Sequence, residues 1–186
     1  MCPLLIIVQG APAAGKTTLA HRLQKDLSVG IVGADDVKEY FFDTLGHGSD
    51  DWSRELGRTL KPYLYKIVEV QLKYGRSVIY ESAFWSDLAK QDMADLLQKV
   101  DADVIELYCT VSEGTRRKRF AKRIKDGECH VGHAGKVGDL PDASLYGRLG
   151  IGETVEIDTE HFSDQDYETL LKKLKQRLKE AHESTN

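Results

Sequence analysis

The sequence predicts an α/β fold: a mainly parallel sheet with helices on both faces. Three observations lead there. Strand-like and helix-like patterns alternate from end to end of the 186 residues. The first apolar run, Leu4-Leu5-Ile6-Ile7-Val8, passes straight into Gly10-Ala11-Pro12-Ala13-Ala14-Gly15-Lys16-Thr17, and a helical pattern follows at once. That octapeptide is a complete phosphate-binding P-loop in its expected strand-to-helix setting. The length, finally, is that of one domain with a substantial core.

Leu4 to Gln9 forms the first strand and Lys16 to about Leu27 the first helix. Val29-Gly30-Ile31-Val32 reads as a short second strand, leading to Gly33-Ala34-Asp35-Asp36, where a helix opens at the aspartates. Gly46 to Asp51 is a polar loop. Beyond it, Leu56, Leu60, Leu64, Ile67 and Leu72 make the apolar face of a long helix, which Pro62 is expected to kink or split. Ser77 to Tyr80 is the third strand, terminated by Glu81-Ser82. Asp87 to Val100 is a helix with Met93, Leu96, Leu97 and Val100 on one face. Val104 to Tyr108 is the fourth strand, followed by a basic helix from about Ser112 to Lys125. Asp126 to Gly152 shows no clear period. Irregular stretches of that length in compact domains are commonly functional lids, so a mobile lid is expected at about 112–152. Thr154 to Asp158 is the fifth strand, and Tyr167, Leu170, Leu171, Leu174 and Leu178 line the last helix. Residues 1–186 contain no repeat or linker and read as one unit. The expected architecture is the three-layer P-loop NTPase fold, five strands in the order 2-3-1-4-5.

Composition narrows the function classes. A net charge of −4 argues against broad electrostatic capture of nucleic acid. Cys2, Cys109 and Cys129 are odd in number and scattered, which fits a reducing cytosol better than a disulfide framework. No apolar stretch approaches a membrane span, and the apolar N-terminus lacks the basic flank of a signal peptide. A soluble cytoplasmic protein, monomeric or homodimeric, is expected.

The P-loop assigns a ligand, ATP with Mg²⁺. Gly10, Ala13, Ala14, Gly15, Lys16, Thr17 and Thr18 form the phosphate cradle, with the Lys16 ammonium on the β- and γ-phosphates and the Thr17 hydroxyl on Mg²⁺. The helix that follows aims its positive dipole end at the same anion. Ligands sit at the carboxyl ends of strands in open α/β sheets. That rule adds Asp35/Asp36, Glu81/Ser82 and the arginines after strand four. Phosphoryl transfer needs a triphosphate cradle, a metal, cations on the developing charge and a carboxylate that orients the nucleophile, and these clusters supply each part. Asp35 is read as the base that takes a proton from an acceptor hydroxyl, with Asp36 in the first helical turn. The alternatives are Asp36 as the base, or a capping role for either. Lys38, one turn on, is either a residue facing the same acceptor site or an ordinary solvated helix lysine. Glu81 holds Mg²⁺ through water or grips the acceptor with Ser82; capping the next helix is its bland alternative. Arg119 and Arg123, four apart, share a face that points at phosphates or adenine, whereas Arg117, Lys118 and Lys122 read as solvated. Cys129, His130 and His133 lack the second ligand pair a structural zinc wants, and a lid histidine touching substrate is the better use. The acceptor pocket is expected between the Asp35–Asp43 helix, the Gly46–Asp51 loop, the long helix and Glu81 to Trp85. Phe41, Phe42, Trp52, Tyr63, Phe84 and Trp85 are candidates for its aromatic wall, with core packing the better use for most of them.

Together these residues resemble the small P-loop kinases related to polynucleotide 5′-kinase, the antibiotic phosphotransferases and the zeta-type toxin kinases. In the polynucleotide kinases an Asp-Asp-x-Arg segment supplies the general base from its first Asp. Asp35-Asp36-Val37-Lys38 matches it, so the resemblance places the base on Asp35 and acceptor binding on Lys38. An Asp-Thr strand end that binds the acceptor is matched by Glu81-Ser82, and the two lid arginines by Arg119 and Arg123. Lys38 stands where a bidentate arginine is the rule, and Glu81 is one methylene longer than the family Asp. Both departures favour a small-molecule hydroxyl at least as much as a nucleic acid 5′ end. The rival class is a nucleotide-binding switch or ATPase without a dedicated acceptor. A guanine-specific switch would need an Asn-Lys-x-Asp motif, and the only asparagine is Asn186.

Overall fold

The computed structural model describes residues 2–46, 48–132 and 140–183. Its elements run β1 (Leu4–Gln9), α1 (Lys16–Leu27), β2 (Gly30–Gly33), α2 (Ala34–Leu45), α3 (Asp50–Lys73), β3 (Val78–Ser82), α4 (Ser86–Leu97), β4 (Asp103–Thr110), α5 (Glu113–Lys125), β5 (Glu153–Asp158) and α6 (Asp164–Glu183). The five strands form one sheet in the order β2-β3-β1-β4-β5, every pairing parallel.

The central strand shows why there are three layers. All six residues of β1 are buried, so it is covered on both faces. Successive side chains alternate across a strand. Leu4, Ile6 and Val8 therefore pack with Leu19 and Leu23 of α1 and Leu170, Leu171 and Leu174 of α6. Leu5 and Ile7 face the other way, onto Leu64, Val68 and Leu72 of α3 and Met93 and Leu96 of α4.

Helix α3 corrects the sequence reading at two points. It begins at Asp50, inside the expected loop, because the Ser49 hydroxyl accepts from the Trp52 N–H and caps it there. It also runs unbroken through Pro62. A proline in a helix interior costs about 3 kcal/mol. Leu60, Leu64, Val68 and Leu72, all buried on one stripe, repay about 1.5–3 kcal/mol each. Pro62 and Arg58 both lie on the exposed side, where water can satisfy the Arg58 carbonyl that the missing N–H leaves open. Leu56 and Ile67 are only half-buried, and Val68 joins Leu60, Leu64 and Leu72 on the buried stripe. Elsewhere the differences are end effects. Helix α4 spans Ser86–Leu97, short of Val100, while β3 extends through Glu81 and Ser82.

Between α5 and β5 the described chain includes a 3₁₀ turn, Ala143–Tyr146. Its far end is tied down by a residue the sequence did not flag. Glu106, in the middle of β4, is fully buried. Its carboxylate accepts from the Gln9 amide (2.6 Å), the Leu149 N–H (2.6 Å), the Gly150 N–H (2.9 Å) and the Thr154 hydroxyl (2.8 Å). Gln9 and Glu106 share the sheet face that carries Leu5 and Ile7, so the pair follows from strand alternation. Replacing Glu106 with Gln turns an amide N–H₂ toward these donors. Urea unfolding should then show a loss of about 2–4 kcal/mol, the cost of unsatisfied buried donors; a loss below about 1 kcal/mol contradicts this role.

Candidate active site

The P-loop turns between β1 and α1 with positive φ at Gly10 (146°), Ala13 (65°) and Gly15 (87°). At Gly10 a side chain is excluded outright, since a Cβ would stand 2.3 Å from the Cys109 carbonyl oxygen of β4. Ala13 holds a left-handed conformation that costs about 1–2 kcal/mol in a residue with a Cβ. Lys16 is buried, and its ammonium donates to the Ala11 carbonyl across the loop (3.2 Å). Thr159, just after β5, fixes the loop from the side. Its hydroxyl lies 2.9 Å from the Ala14 carbonyl oxygen and accepts from Arg119 Nη1 at 2.8 Å, while Arg119 Nη2 donates to the Thr159 carbonyl at 2.9 Å.

Strand alternation sorts the end of β3. Glu81 points to the α1 side, with Oε1 3.5 Å from the Thr17 hydroxyl, at the outer limit of a hydrogen bond. Ser82 points to the opposite face and lines a separate cavity. Glu81 is 2% exposed. Burial pushes its carboxyl up to about 7, against the pull of the Lys16 ammonium and helped by the Asp35 and Asp36 carboxylates. Glu81 caps nothing, because Trp85 occupies the N-cap of α4. The thiol of Cys109, beneath the loop, is pushed up to about 12 by burial and stays a neutral packing group.

The two aspartates part company in the first turn of α2. Neither is its N-cap, which is Gly33. Asp36 folds back over Gly33, where a Cβ would meet its Oδ2 at 2.5 Å, and lies 3.5 Å from His21 Nε2. Asp35 faces the site instead.

Three adjoining cavities follow the carboxyl edge of the sheet. The first, about 490 Å³, is lined by Ala13, Gly15, Thr18, Arg119, Arg123 and Thr159. The second, about 270 Å³, lies over the loop against Lys16, Thr17, Asp35, Lys38, Arg123 and His130. The third, about 530 Å³, is bounded by Asp35, Lys38, Ser82, Phe84, Trp85 and the near face of α3. Arg123 belongs to the first two, and Asp35 and Lys38 to the last two. Lys122, read as solvated, also reaches the first cavity while pairing with Asp126. Arg116 is buried, its guanidinium held by Glu113 (2.7 Å) and the Pro141 carbonyl (3.0 Å), and so serves the frame.

The expected aromatic wall is corrected in part. Phe84 and Trp85 line the third cavity, joined by Tyr65 and Tyr80. Phe41, Trp52 and Tyr63 do not line it, nor do Gly46, Gly48, Ser49 and Asp51; His47, in the same expected loop, lies outside the described residues. Phe42 is drawn away because it packs against Trp52 (5.9 Å) and stacks on His130 (5.6 Å). His130 also lies 3.1 Å from Asp43, which holds the Cys129–Gly132 segment onto α2. His133 lies outside the described residues. No group of three metal-ligating side chains occurs among the described residues, and no described helix is long and apolar enough to cross a membrane.

Sheet order, P-loop and cavity arrangement define a P-loop kinase fold. The chain belongs to the AAA domain family, whose model matches residues 5–135. It is similar to the crystal structure of a candidate kinase from Chloroflexus aurantiacus, with 32% identity, 95% of this chain and 98% of the other covered, and a TM-score of 0.81. The fold is shared with shikimate kinase from Acinetobacter baumannii in complex with shikimate (16% identity, 96% of each chain, TM-score 0.55). It is shared also with APS kinase from Mycobacterium tuberculosis in complex with AMPPNP and APS (14% identity, 92% and 98% covered, TM-score 0.60). No curated protein matches the chain.

The raised carboxyl of Glu81 has a stability consequence with a definite sign. Between its ordinary value near 4.5 and its folded value of about 7, the folded state holds a proton the unfolded state has released. Stability therefore falls as pH rises through that window, by roughly 3 kcal/mol in total. Without nucleotide and in EDTA, Glu81→Gln should melt higher than wild type at pH 8 and lose most of that advantage at pH 4.5. Equal melting temperatures at pH 8 would show that the burial cost is absent.

Proposed function

We propose that the protein transfers the γ-phosphate of ATP to a hydroxyl of a small molecule or of a nucleotide or nucleic acid 5′ end, with Asp35 as general base. The observation that carries this reading is the shared wall. Asp35 and Lys38 border both the cavity over the P-loop and the one behind it, so a hydroxyl held in the rear cavity meets the phosphates at Asp35. A nucleotide switch or ATPase needs no second chamber at that point. Likeness to a candidate kinase over nearly the whole chain supports the same class. The folds shared with shikimate kinase and APS kinase, solved with shikimate and with AMPPNP and APS, agree with a nucleotide on one side and a small acceptor on the other.

In this reading Gly10, Ala13, Ala14, Gly15, Lys16, Thr17 and Thr18 cradle the triphosphate through backbone N–H groups and the Lys16 ammonium. Lys16 exchanges the Ala11 carbonyl for a phosphate oxygen. The Thr17 hydroxyl and the Glu81 carboxylate, two hard oxygens 3.5 Å apart, fit Mg²⁺, which supplies charge neutralisation on the phosphates. The acceptor hydroxyl gives its proton to Asp35, its oxygen bonds to the γ-phosphorus, and the bond from that phosphorus to the β–γ bridging oxygen breaks to leave ADP. Asp36, turned to Gly33 and His21, leaves the role to Asp35. Arg119 and Arg123, on a lid spanning about 112–152, stabilise the charge on the transferred group; Arg119 is already aligned by Thr159. Such a kinase works as a soluble cytoplasmic enzyme.

Acceptor-dependent ADP release across a panel of hydroxyl compounds tests the class. Turnover that stays at the basal water rate with every acceptor sinks the kinase reading. With an acceptor found, Asp35→Asn should lower kcat about 10²–10⁴-fold while ATP affinity, set by the P-loop, changes little. Undiminished transfer would move the base to Asp36 or Glu81.

A further inference from the structure

We infer that the acceptor is a small organic anion, a hydroxyl compound bearing a carboxylate or a phosphate, whose charged end is held by Arg54, Arg58 and Lys61 of α3. The inference rests on the phosphotransfer reading and names the substrate class of that same site.

The rear cavity is lined by four cations, Lys38, Arg54, Arg58 and Lys61, against one carboxylate, Asp35. In a chain whose net charge is −4, that local excess is a built feature of this wall. Positions 54, 58 and 61 follow i, i+4, i+7 spacing, so one face of α3 carries all three into the cavity. Their partners include exposed carboxylates. Arg54 pairs with Asp51 (2.5 Å) and Arg58 with Glu55 (3.4 Å), each within one helix, and those carboxylates are 88% and 68% exposed. Lys61 pairs with Asp92 at 2.5 Å, both side chains 40% exposed. The two arginine pairs are exposed, weak and screened, whereas the Asp92 Oδ2 that meets Lys61 is buried. A carboxylate or phosphate in the cavity takes two parallel N–H bonds from a guanidinium fork, a stronger contact than a single one, with Arg54 and Arg58 themselves 63% and 77% exposed.

The cations are also in the right place. Asp35 and Lys38 stand at the mouth shared with the phosphate cavity, whereas Arg54, Arg58 and Lys61 line the rear cavity alone. An acceptor that brings its hydroxyl to Asp35 therefore turns its other end to α3, and its negative charge away from Asp35. Gly57 sits between the two arginines on the same wall, and a Cβ there would have only Lys38 Nζ nearby, at 3.7 Å. Glycine in a helix interior is unfavourable, and here it keeps room for a ligand. The Tyr65 hydroxyl, on the same wall, is buried without a hydrogen-bond partner among the described residues. Tyr80, Phe84 and Trp85 offer ring surface to a carbon skeleton. About 530 Å³ suits a hydroxy acid, a sugar phosphate or a mononucleotide. A cationic aminoglycoside would meet four like charges, and a neutral sugar would leave the guanidinium forks unused.

The test separates binding from chemistry. ADP-loaded protein is titrated calorimetrically with glycerate, quinate, ribose 5-phosphate, AMP, glucose and kanamycin, and the same six are assayed for ATP-dependent phosphorylation. At least one anion should bind saturably and be phosphorylated, and the carboxylate and phosphate arms tell which charge is read. Arg58→Ala should weaken that binding and raise the acceptor KM by about ten- to a hundredfold, leaving the affinity for ATP unchanged. Gly57→Leu, which favours the helix but fills the cavity, should block the same anion in a protein that melts no lower than wild type. The inference is overturned if no anion binds saturably, if Arg58→Ala binds as tightly as wild type, or if glucose or kanamycin is the better substrate. Arg58-dependent anion binding with no transfer to any compound would keep the anion site and reject the phosphotransfer reading instead. Transfer to neutral compounds alone would do the reverse.

Discussion

The clamp on the P-loop is the constraint from which the rest of the site follows. The loop is pressed so closely against β4 that Gly10 has no room for a Cβ beneath the Cys109 carbonyl. On its other flank one hydroxyl, that of Thr159, touches the Ala14 carbonyl and takes a bond from Arg119. Three separate parts of the chain, residues 10–15, Arg119 on α5 and Thr159 after β5, are thereby set against one another. The sheet makes this possible, because β1 lies between β3 and β4 and all strands end on the same edge. The loop is held through its carbonyls, with the Ala14 N–H turned onto the Ala11 carbonyl (3.1 Å), at the expense of a left-handed Ala13.

The same edge concentrates buried charge, and the fold treats its charged groups in two ways. Glu106 and Arg116 are buried with several hydrogen bonds each, so they serve as struts. Among the described residues Lys16 and Glu81 are buried with fewer bonds, one loop carbonyl for the ammonium and a long contact to Thr17 for the carboxylate, although Arg116 too keeps one buried nitrogen, Nη1, without a partner. Groups left under-satisfied in this way cost stability and wait for a partner, which a Mg²⁺-bound triphosphate supplies in the proposed reaction. Cations on α3 carry the pattern outward, since their carboxylate partners are mostly exposed ones that a bound anion displaces easily.

Much of the architecture was legible because its signals are local. A run of five apolar residues, a glycine loop and alternating patterns suffice for β1, α1 and the strand order of a P-loop fold. Helix α3 is where local rules compete: both its apolar face and the Pro62 penalty are legible, but how deeply Leu60, Leu64, Val68 and Leu72 are buried, which decides between them, is not. Within the site, residues tied to a motif were found. Those that act through distant partners were not: Glu106 meets residues 97 positions upstream and 43 to 48 downstream. Arg54, Gly57, Arg58 and Lys61 look like an ordinary solvated face until α2 and α4 enclose them. A glycine framed by cations at helical spacing was the one available hint. The split between Glu81 and Ser82 was readable from strand alternation, but only once β3 was known to extend through both.

The central claim is that phosphate cradle and acceptor chamber meet at Asp35. A crystal structure with ADP, Mg²⁺ and aluminium fluoride, which mimics the phosphoryl group in flight, tests it most directly. The account predicts a planar fluoride group between Lys16 and Asp35, with an apical oxygen within hydrogen-bonding reach of the Asp35 carboxylate on the side that opens to α3. A fluoride group sealed off from the rear cavity, with Asp35 turned away and another carboxylate facing the apical oxygen, would contradict it.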